Sequence, residues 1–491
     1  MVDNKQLGLS SGQSPLKLNM KRTFIIGFAF FGILMMWQVY DTYVSSFLSE
    51  LFIKAFNLPS DAVNHEASAQ QVAWLVGIMM AIDNLAALIM MPIFGKLSDK
   101  TNTKIGKRMP YILIGTFVVS VTFPFIPVAF HYNNLIAFII LLAITVFVAM
   151  MYRNPAVALM PDLTPKPLRS KANGIINIMG YIGGAIPTVL AMFLVLSDYL
   201  GLTNKHPGQL SNIWVIEVPF LLASVLMIVS VIVLFFLIKE NKVKEEIADD
   251  MARGELEAEV IDSVANDDKQ KMSRKNFVML ILILVAEFFW FMADNGITTF
   301  MSNYTLYHLK ASTSDLGLNT IIMGVMSVVG FAIGGFVAGK IGRKYTLWIG
   351  LGLTLLSYMV WMILSLSIPV SNPAPGTFNK FPMYIYILFA VKGFGMSLVH
   401  LNSFPMVVEL CPSSKIGQFT GYYYAASMAA QTITPMLLGL LLRIPDFGFD
   451  MLPIYALGCI AVSFVVFIFV KNVKVKKSNI KTGLEAIGDN D

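Results

Sequence analysis

Two acidic residues of this chain occupy equivalent places in two apolar stretches. Asp41 lies in WQVYDTYVSSFLS, which begins at Trp37, and Asp294 lies in WFMADNGITTFMS, which begins at Trp290. The aligned stretches share Trp, Asp, two hydroxyl residues, Phe and Ser at the same offsets. A buried carboxyl group can bind and release a proton, but an ionised carboxylate facing lipid is costly. We therefore expect both acids to face a watery cavity or a partner; a structural bond to nearby backbone or a hydroxyl is the alternative.

Other polar and aromatic residues near these acids suit a ligand rich in hydroxyl groups. Carboxylates and amides hydrogen-bond hydroxyls, and a flat ring packs on the apolar face of a sugar. The candidates for proton binding are Asp41, Asp294, Glu287 and Asp83. The candidates for substrate binding are Trp37, Gln38, Tyr40, Arg153, Asn154, Trp290, Asn295, Lys392, His400, Asn402 and Gln431. Single polar residues such as Asp83 and Gln431 are also explained by hydrogen bonds between helices.

Two basic residues, Arg153 and Lys392, lie inside apolar runs. A buried cation needs an acid or a ligand. Asp294 and Glu287 are available to Lys392, which predicts an ion pair there. His400 is the counterpart of Arg153 in the second half of the chain, but a lone histidine in such a run is more often a packing residue than a ligand.

The composition places these residues in a membrane. The 491 residues are 56% hydrophobic and only 13% charged, whereas soluble domains carry about 25% charged residues. Windows of about 19 residues predict twelve helices, each long enough to cross a hydrocarbon core of about 30 Å. The predicted spans are 22–47, 70–95, 108–130, 133–160, 171–197, 212–238, 276–303, 315–339, 345–368, 382–409, 417–442 and 450–470. The expected fold class is an all-α polytopic membrane protein.

The basic residues predict the orientation of these helices. Of the 36 Lys and Arg residues, 29 fall on the side of both termini and five on the opposite side. By the positive-inside rule, both termini are expected in the cytoplasm, with the protein in the cell membrane. This asymmetry accounts for the net charge of +6 without nucleic-acid binding. The two cysteines, Cys411 and Cys459, give no disulfide framework.

A mixed-charge stretch divides the chain. Residues 239–275 are too polar to span a membrane and predict a cytoplasmic linker that is partly helical at most. The linker separates six-helix bundles at 22–238 and 276–470, and cytoplasmic tails are expected at 1–21 and 471–491.

Landmarks recur in the same order in both bundles. Gly95 corresponds to Gly339, Asp162 to Glu409 and Gly174 to Gly421. Three matched landmarks indicate a duplicated six-helix unit, which is similar to the 6+6 pseudo-symmetric architecture of major facilitator transporters.

The stretch GKLSDKTNTKIGKRMP follows the second predicted span. Glycines let helices approach closely, and an acid among bases can form a charged cluster at a helix end. We expect this cluster to latch the cytoplasmic ends of the two halves when the cavity opens outward; a plain positive-inside loop is the alternative. The expected cytoplasmic gate residues are Gly95, Asp99, Lys107, Arg108, Asp162, Arg169, Gly339, Arg343 and Glu409.

This motif resembles the helix 2 to 3 motif of the glycoside-pentoside-hexuronide:cation symporters, and most closely that of their sucrose-transporter-like branch. MPDL at 160–163 followed by Ala172-Asn173-Gly174, and Trp37 followed by Tyr43-Val44, also resemble that family. The resemblance implies proton-coupled uptake of a disaccharide or other glycoside, such as sucrose or maltose, by alternating access. It further implies a monomer whose partners are a sugar, a proton and the lipid bilayer, without a cofactor or a metal.

The chain departs from this family at two sites. Plant sucrose transporters carry an Asp in helix 4 and an Arg after its Pro; Val146 and Val157 stand there, and Arg153 lies one helical turn before 157. The melibiose branch has paired acids in helix 2 where this chain has Ala87 and Met91. A proton is therefore favoured over sodium as the coupling ion.

Two other functions are less well supported. An exporter of apolar compounds would have few hydrogen-bonding groups in its cavity, which Arg153, Lys392, Asn295 and Asn402 argue against. An intramembrane enzyme would show a DxD-type metal pair, an HExxH motif or a large outer domain, and the predicted spans and outer loops have none of these. We therefore expect a transporter and not an enzyme.

Overall fold

The computed structural model describes residues 16–61, 64–200, 212–265, 274–373, 377–410 and 416–471. The tails predicted at 1–21 and 471–491 lie largely outside these residues.

The described residues form sixteen α-helices. They are α1 (Met20–Ala55), α2 (His65–Lys100), α3 (Met109–Thr122), α4 (Phe125–His131), α5 (Leu135–Asp162), α6 (Arg169–Phe193), α7 (Leu196–Tyr199), α8 (Trp214–Leu237), α9 (Glu240–Glu246), α10 (Ala248–Ala265), α11 (Arg274–Asn303), α12 (Thr313–Ile341), α13 (Arg343–Ser367), α14 (Met383–Leu410), α15 (Ile416–Leu441) and α16 (Met451–Ile468). Two 3-10 turns, Lys166–Leu168 and Gly448–Asp450, precede α6 and α16, and a π-helical turn, Tyr304–His308, extends α11.

Twelve helical segments among the described residues are long and apolar enough to cross a membrane. This number confirms the prediction, and the chain is a multi-pass membrane protein. Both α1 and α2 have 36 residues and extend past the predicted boundaries at 47 and 70. The extensions carry polar residues such as Ser49, Glu50 and His65, which hydropathy excludes from a span but which are buried between helices.

Local sequence explains where several helices begin. The side chains of Asn19, Asn134 and Ser312 each accept a hydrogen bond from a backbone N–H in the first turn of α1, α5 and α12, at 3.0, 3.0 and 3.2 Å. Such caps satisfy N–H groups that lack a partner within the helix. Gly342 has a φ of 90° between α12 and α13, a conformation that glycine adopts without steric cost.

The helices pack as two bundles with the same internal arrangement. In the first bundle, α1 packs on α6 and α8, and α5 packs on α2 and α3. In the second, α11 packs on α15 and α16, and α14 packs on α12 and α13. The bundles meet where α2 packs on α15, α6 on α12 and α1 on α11. This is the 6+6 pseudo-symmetric architecture that the repeated landmarks predicted.

The two ends of this assembly differ. We call the end that carries the loop 101–108 the basic end, and the end that carries the π-helical turn Tyr304–His308 the distal end. Towards the distal end, the halves touch closely: a Cβ atom added to Gly77 of α2 or Gly439 of α15 would overlap the backbone of the facing helix. Towards the basic end, a Cβ on Gly174 of α6 or Gly421 of α15 would meet nothing within 4 Å. The halves are therefore in close backbone contact at the distal end, whereas these two glycines have open space beside them towards the basic end.

The linker is more helical than the sequence suggested, because α9 and α10 occupy most of its described part. Glu240 of α9 is fully buried and accepts hydrogen bonds from the backbone N–H groups of Lys107, Arg108 and Met109, at 3.0, 3.0 and 3.2 Å. In addition, Gly254 of α10 packs on the loop between α5 and α6. The first part of the linker is thus held against the N-terminal bundle.

Candidate functional site

A cavity of about 180 Å³ lies between the two bundles. Both halves contribute charged or polar groups to its walls: Asp41 and Gln38 come from α1, and Lys392 comes from α14. Residues of α6, α7, α11 and α12 complete the lining. The cavity therefore lies on the pseudo-symmetry interface, where the motion of one half against the other changes its shape.

Lys392 forms an ion pair with Asp294 of α11, one of the two acids that the sequence offered as its partner. The ammonium group also contacts the sulfur of Met323, at 3.5 Å. Lys392 is only 5% exposed, and a carboxylate partner offsets the cost of burying its charge. His400 lies near enough to Asp294 and Lys392 to interact with their charges, and its ring stands 5.6 Å from that of Phe291.

The N-terminal bundle carries a second group of charges near Asp41, but Arg153, Asp83 and Trp37 are not among the residues that line the cavity. Arg153 places its guanidinium 5.8 Å from the ring centre of Trp37 and lies near enough to Asp41 and Asp83 to feel their charges. Asp83 accepts hydrogen bonds from the backbone and side chain of Asn84, at 2.6 and 2.9 Å. Within the part of the chain that the structure describes, no carboxylate forms a salt bridge with Arg153. Its donors are consequently available to a ligand or to water.

Four threonines of the cavity wall offer a ligand hydrogen-bond acceptors, because their O–H groups already donate within the protein. The hydroxyls of Thr42, Thr188, Thr298 and Thr320 donate to backbone carbonyls four residues earlier in their own helices, at 2.7, 3.0, 3.1 and 3.0 Å. The lone pairs of each hydroxyl oxygen remain free to accept. With the Asp41 carboxylate, this makes a cavity rich in acceptors, which suits a ligand with many hydroxyl donors.

Asn319 lies on α12 and lines the cavity, although the sequence pattern did not place it among the binding candidates. It is 2% exposed, and its carboxamide oxygen has no hydrogen-bond partner among the described residues. A buried amide oxygen without a partner is uncommon and calls for a ligand or water. In the sequence, Asn319 is an amide in an apolar run, two residues after Gly317. This position does not indicate which face of α12 the side chain occupies.

Several predicted residues lie outside this cavity. Glu287 and Trp290 are fully buried in the C-terminal bundle, and neither carboxylate oxygen of Glu287 nor the indole nitrogen has a partner among the described residues. Asn154 donates to the carbonyl of Met91 at 2.7 Å, between α5 and α2. Asn402 donates to the carbonyl of Leu398, at 2.8 Å. Both amides have hydrogen-bond partners within the protein, so in this structure they join backbone and side chain and do not face the cavity.

Three further candidates for substrate binding are Tyr40, Asn295 and Gln431. Tyr40 is 1% exposed and packs edge-on to Trp37, with ring centres 5.2 Å apart. Asn295 has a buried side-chain oxygen without a partner among the residues described. Gln431 donates to the carbonyl of Ser427, at 3.3 Å. Their roles in binding stay predictions.

The predicted gate residues at the basic end do form a charged cluster. Arg108 pairs with Asp99 and, at 2.8 Å, with Asp162. Lys107 pairs with the same acids, at 3.8 and 3.1 Å, and the carbonyl of Gly95 lies 3.5 Å from a guanidinium nitrogen of Arg108. Burial alone would lower the pKa of the Arg108 guanidinium, but its bonds to Asp162 and Asp99 raise that pKa above its ordinary value. The cluster joins α2, α3 and α5.

The remaining gate candidates are distributed over both halves. Arg169 donates to the carbonyls of Thr164 and Pro161, at 3.1 and 2.9 Å. Gly339 is exposed at the end of α12, and Arg343 begins α13. The side chain of Glu409 lies outside the described part of the structure. The cluster around Arg108 lies within the N-terminal half, and the expected latch between the two halves stays a prediction.

The distal end is sealed by polar side chains of α1 and α11. The hydroxyls of Ser46 and Ser302 hydrogen-bond at 2.9 Å. Asn303 accepts from Ser46 at 3.0 Å and donates to Ser49 at 2.9 Å. Three of these four residues come from the two aligned stretches, in which Ser49 and Ser302 share one offset. The duplicated hydroxyls therefore bind the halves to each other.

Comparisons with known proteins agree with this architecture. The model of the Major Facilitator Superfamily matches residues 23–373. The isoprimeverose transporter of Lactiplantibacillus pentosus is 23% identical over 295 residues, which cover 59% of this chain and 56% of that relative, or little more than half its length. An uncharacterized MFS-type transporter of Bacillus subtilis (strain 168), YxiO, is 22% identical over 444 residues, which cover 87% of this chain and 94% of that protein.

Among solved structures, the inward open conformation of the xylose transporter XylE from E. coli has a TM-score of 0.60. It is 17% identical, with 93% of this chain and 97% of that one covered. At this identity the likeness shows the fold alone. The family model, however, covers most of the sequence, and the twelve spans and the cavity between two pseudo-symmetric bundles fit it. The chain belongs to the Major Facilitator Superfamily of membrane transporters.

Proposed function

We propose that this protein is a secondary active transporter that couples the uptake of a sugar to a proton by alternating access. The observation that carries the proposal is the cavity wall: threonine oxygens and the Asp41 carboxylate accept, while Lys392 and Gln38 donate. A sugar presents many hydroxyl donors and acceptors to such a wall. An exporter of apolar compounds would leave these groups without partners.

The substrate class that we propose is a disaccharide or other glycoside. One relative is named an isoprimeverose transporter and a protein of the same fold is a xylose transporter. The motif GKLSDKTNTKIGKRMP resembles that of the sucrose-transporter-like symporters. These similarities support a sugar and leave its identity to experiment.

Asp41 is our first choice for the proton-coupling residue. It lines the cavity and has no ion pair among the described residues, whereas Asp294 is already neutralised by Lys392. A carboxylate without a cation partner takes up a proton more readily when water is excluded. Asp294 would then act by holding the Lys392 ammonium in place for the substrate.

The contacts that close the distal end indicate the place of this structure in the proposed cycle. The basic end carries most Lys and Arg residues, so the positive-inside rule puts it in the cytoplasm. The state described here is then the inward-facing state. The outward-facing state would break the seal between Ser46, Ser49, Ser302 and Asn303 and close the basic end.

Uptake into proteoliposomes tests the proposal. Radiolabelled sucrose, maltose, isoprimeverose and xylose would be offered with and without an inward proton gradient. We expect at least one sugar to accumulate only with the gradient. In Asp41→Asn, accumulation should be lost while exchange of labelled for unlabelled sugar continues, because a neutral side chain cannot carry the proton.

The matched control is Asp198→Asn, which removes an exposed acid of the distal surface outside the cavity lining and should behave as wild type. Failure of wild type to take up any of the four sugars would contradict a sugar substrate of this class. Accumulation that is indifferent to the proton gradient would contradict proton coupling.

A further inference from the structure

The distal end contains a histidine held between two carboxylates. His308, the last residue of the π-helical turn, places Nδ1 2.7 Å from an oxygen of Glu66 and Nε2 3.2 Å from an oxygen of Asp450. An ionised carboxylate only accepts hydrogen bonds, and a neutral imidazole donates from one nitrogen alone. Both contacts are satisfied when the ring is an imidazolium, or when one of the acids is protonated. Either arrangement holds one proton more than a neutral ring between two carboxylates.

This group joins the two halves of the protein. Glu66 lies on α2 of the N-terminal bundle, while His308 and Asp450 belong to the C-terminal bundle. The His308 side chain is only 12% exposed and those of Glu66 and Asp450 are 26% and 22% exposed. Charges in such a place interact more strongly than charges in water.

A second cross-half contact lies beside it. Glu50 of α1 accepts a hydrogen bond from Tyr307 at 2.8 Å and lies 2.8 Å from Nε2 of His65. The rings of His65 and Tyr307 are 5.0 Å apart. Glu50 and His65 both belong to the N-terminal bundle, so the cross-half bond here comes from Tyr307, whose hydroxyl does not titrate near neutral pH.

All elements packed around His308 contribute to its surroundings. The titratable or polar groups that face His308 or its two acids come from five elements. They are Glu66 of α2, Asp450 before α16, Tyr304 of the π-helical turn, Ser365 of α13 and Tyr384 of α14. The neighbouring group consists of Glu50, Lys54, His65 and Tyr307. Ser365 donates to Asp450, at 2.5 Å. Lys54, the single Lys or Arg of this group, is exposed and hydrogen-bonds to Asn133 at 2.6 Å. A proton is thus the cation that balances the acids at His308.

We propose that Glu66, His308 and Asp450 form a proton-binding site that stabilises the closed distal end. When the halves separate at this end, Glu66 moves away with α2 and His308 keeps one carboxylate. The site then holds its proton less tightly than in the closed state. By linkage, a proton that binds the closed state more tightly shifts the population towards that state.

The sign of the effect follows from this linkage. Acidification of the distal side keeps the distal end closed, and a rise in pH releases the proton and favours opening. One linked proton changes the ratio of open to closed molecules by at most about tenfold per pH unit. The inference is independent of the sugar, because it concerns the equilibrium between two states of the empty protein.

Distances between spin labels test the site in the full-length protein. Cys411 and Cys459 would be replaced by serine, and labels attached at Ser60→Cys and Lys380→Cys, two exposed positions at the distal ends of the two halves. Double electron–electron resonance would be measured in nanodiscs between about pH 5 and 9 without sugar. We expect the long-distance population to grow with pH in wild type.

His308→Gln should lose this pH response, since a glutamine donates and accepts without a titrating proton. The matched control is His131→Gln: His131 also lies at the distal end, but its ring bonds to Tyr199 within the N-terminal half, at 2.6 Å. It should keep the full response. Glu66→Gln supplies a second test that does not depend on the folding of the His308 variant, and it should reduce the response because a neutral imidazole satisfies an amide partner.

Three outcomes would overturn the proposal. They are a wild type whose distances do not change with pH, a His308→Gln or Glu66→Gln protein that keeps the full response, and a response that disappears in His65→Gln while it persists in His308→Gln. The last result would assign the proton-binding site to Glu50 and His65 instead.

Discussion

Asp41 and Asp294 hold equivalent places in the two halves but have different surroundings. Asp294 pairs with Lys392, whereas Asp41 lines the cavity next to Gln38 and Thr42. The counterpart of Lys392 in the first half, at the offset that relates His400 to Arg153, is Thr145. A single difference at this position gives one aspartate a cation and leaves the other free for a ligand or a proton.

The ion pair should reveal itself in a double-mutant cycle. Lys392→Ala leaves Asp294 without its partner, and we expect the free energy of unfolding to fall by roughly 2 kcal/mol. This is less than the ~3–5 kcal/mol lost when a fully buried pair is broken, because the Asp294 side chain is 32% exposed. Adding Asp294→Ala should recover part of that loss. Thermal unfolding in detergent measures each variant, and strictly additive losses would show that the two groups do not interact.

Asn319 lines the cavity with a buried carboxamide oxygen that has no partner among the described residues, which supports a contact with the ligand. Asn319→Ala should raise the KM for the transported sugar by up to about tenfold, the value of one hydrogen bond, with little change in stability. Asn402→Ala is the matched control, because its amide is bonded to Leu398. It should lower the melting temperature and leave KM unchanged. Equal KM values for Asn319→Ala and wild type would exclude the contact.

At the scale of elements, the linker helix α9 completes the start of α3. Glu240 accepts three backbone N–H groups of the α2–α3 loop and pairs with Lys244, at 2.6 Å. A negative charge at a helix N-terminus satisfies free N–H groups and interacts favourably with the helix dipole. Lys107 and Arg108, the basic members of the charged cluster, lie on the same short loop. The linker therefore holds in place the motif that the sequence analysis assigned to the gate.

Removal of this cap should destabilise the N-terminal bundle. Glu240→Ala leaves buried N–H groups without an acceptor, which costs on the order of 2–3 kcal/mol and should lower the melting temperature clearly. Glu246→Ala is the control: it lies on the same helix with a side chain that is 57% exposed and a long 3.8 Å pair with Lys242. Its effect should stay within about 0.5 kcal/mol. Similar melting temperatures for both variants would show that Glu240 is not needed as a cap.

At the scale of the whole molecule, the closed distal end requires close contact between α2 and α15. A Cβ atom on Gly439 would lie 2.5 Å from the carbonyl oxygen of Ala73 and 2.9 Å from the Cα of Trp74. Backbone atoms cannot move aside as a flexible side chain can. The glycines thus allow the seal of serines, Asn303 and the His308 site to form.

Gly439→Ala should push the halves apart at the distal end. We expect the labels at Ser60→Cys and Lys380→Cys to shift to longer distances, and the closed state to lose about 1–3 kcal/mol relative to the open one. Gly458→Ala in α16 is the control, since its Cβ would meet nothing within 4 Å. Unchanged distances in the Gly439 variant would mean that α15 can adjust without opening the seal.

The sequence by itself determined the twelve spans, the division into two related bundles, the need of Lys392 for an acidic partner and the charged cluster around Asp99 and Arg108. These features follow from hydropathy, from repeated landmarks and from the rule that a buried charge needs a partner. The sequence did not determine that Asn319 lines the cavity, that Glu240 caps α3 or that His308 lies between Glu66 and Asp450. Helical spacing fixes which side chains share a face, but the rotation and crossing of helices decide which faces meet. Glu66 and His308 are 242 residues apart, and only the packing of α2 against the end of α11 brings them together.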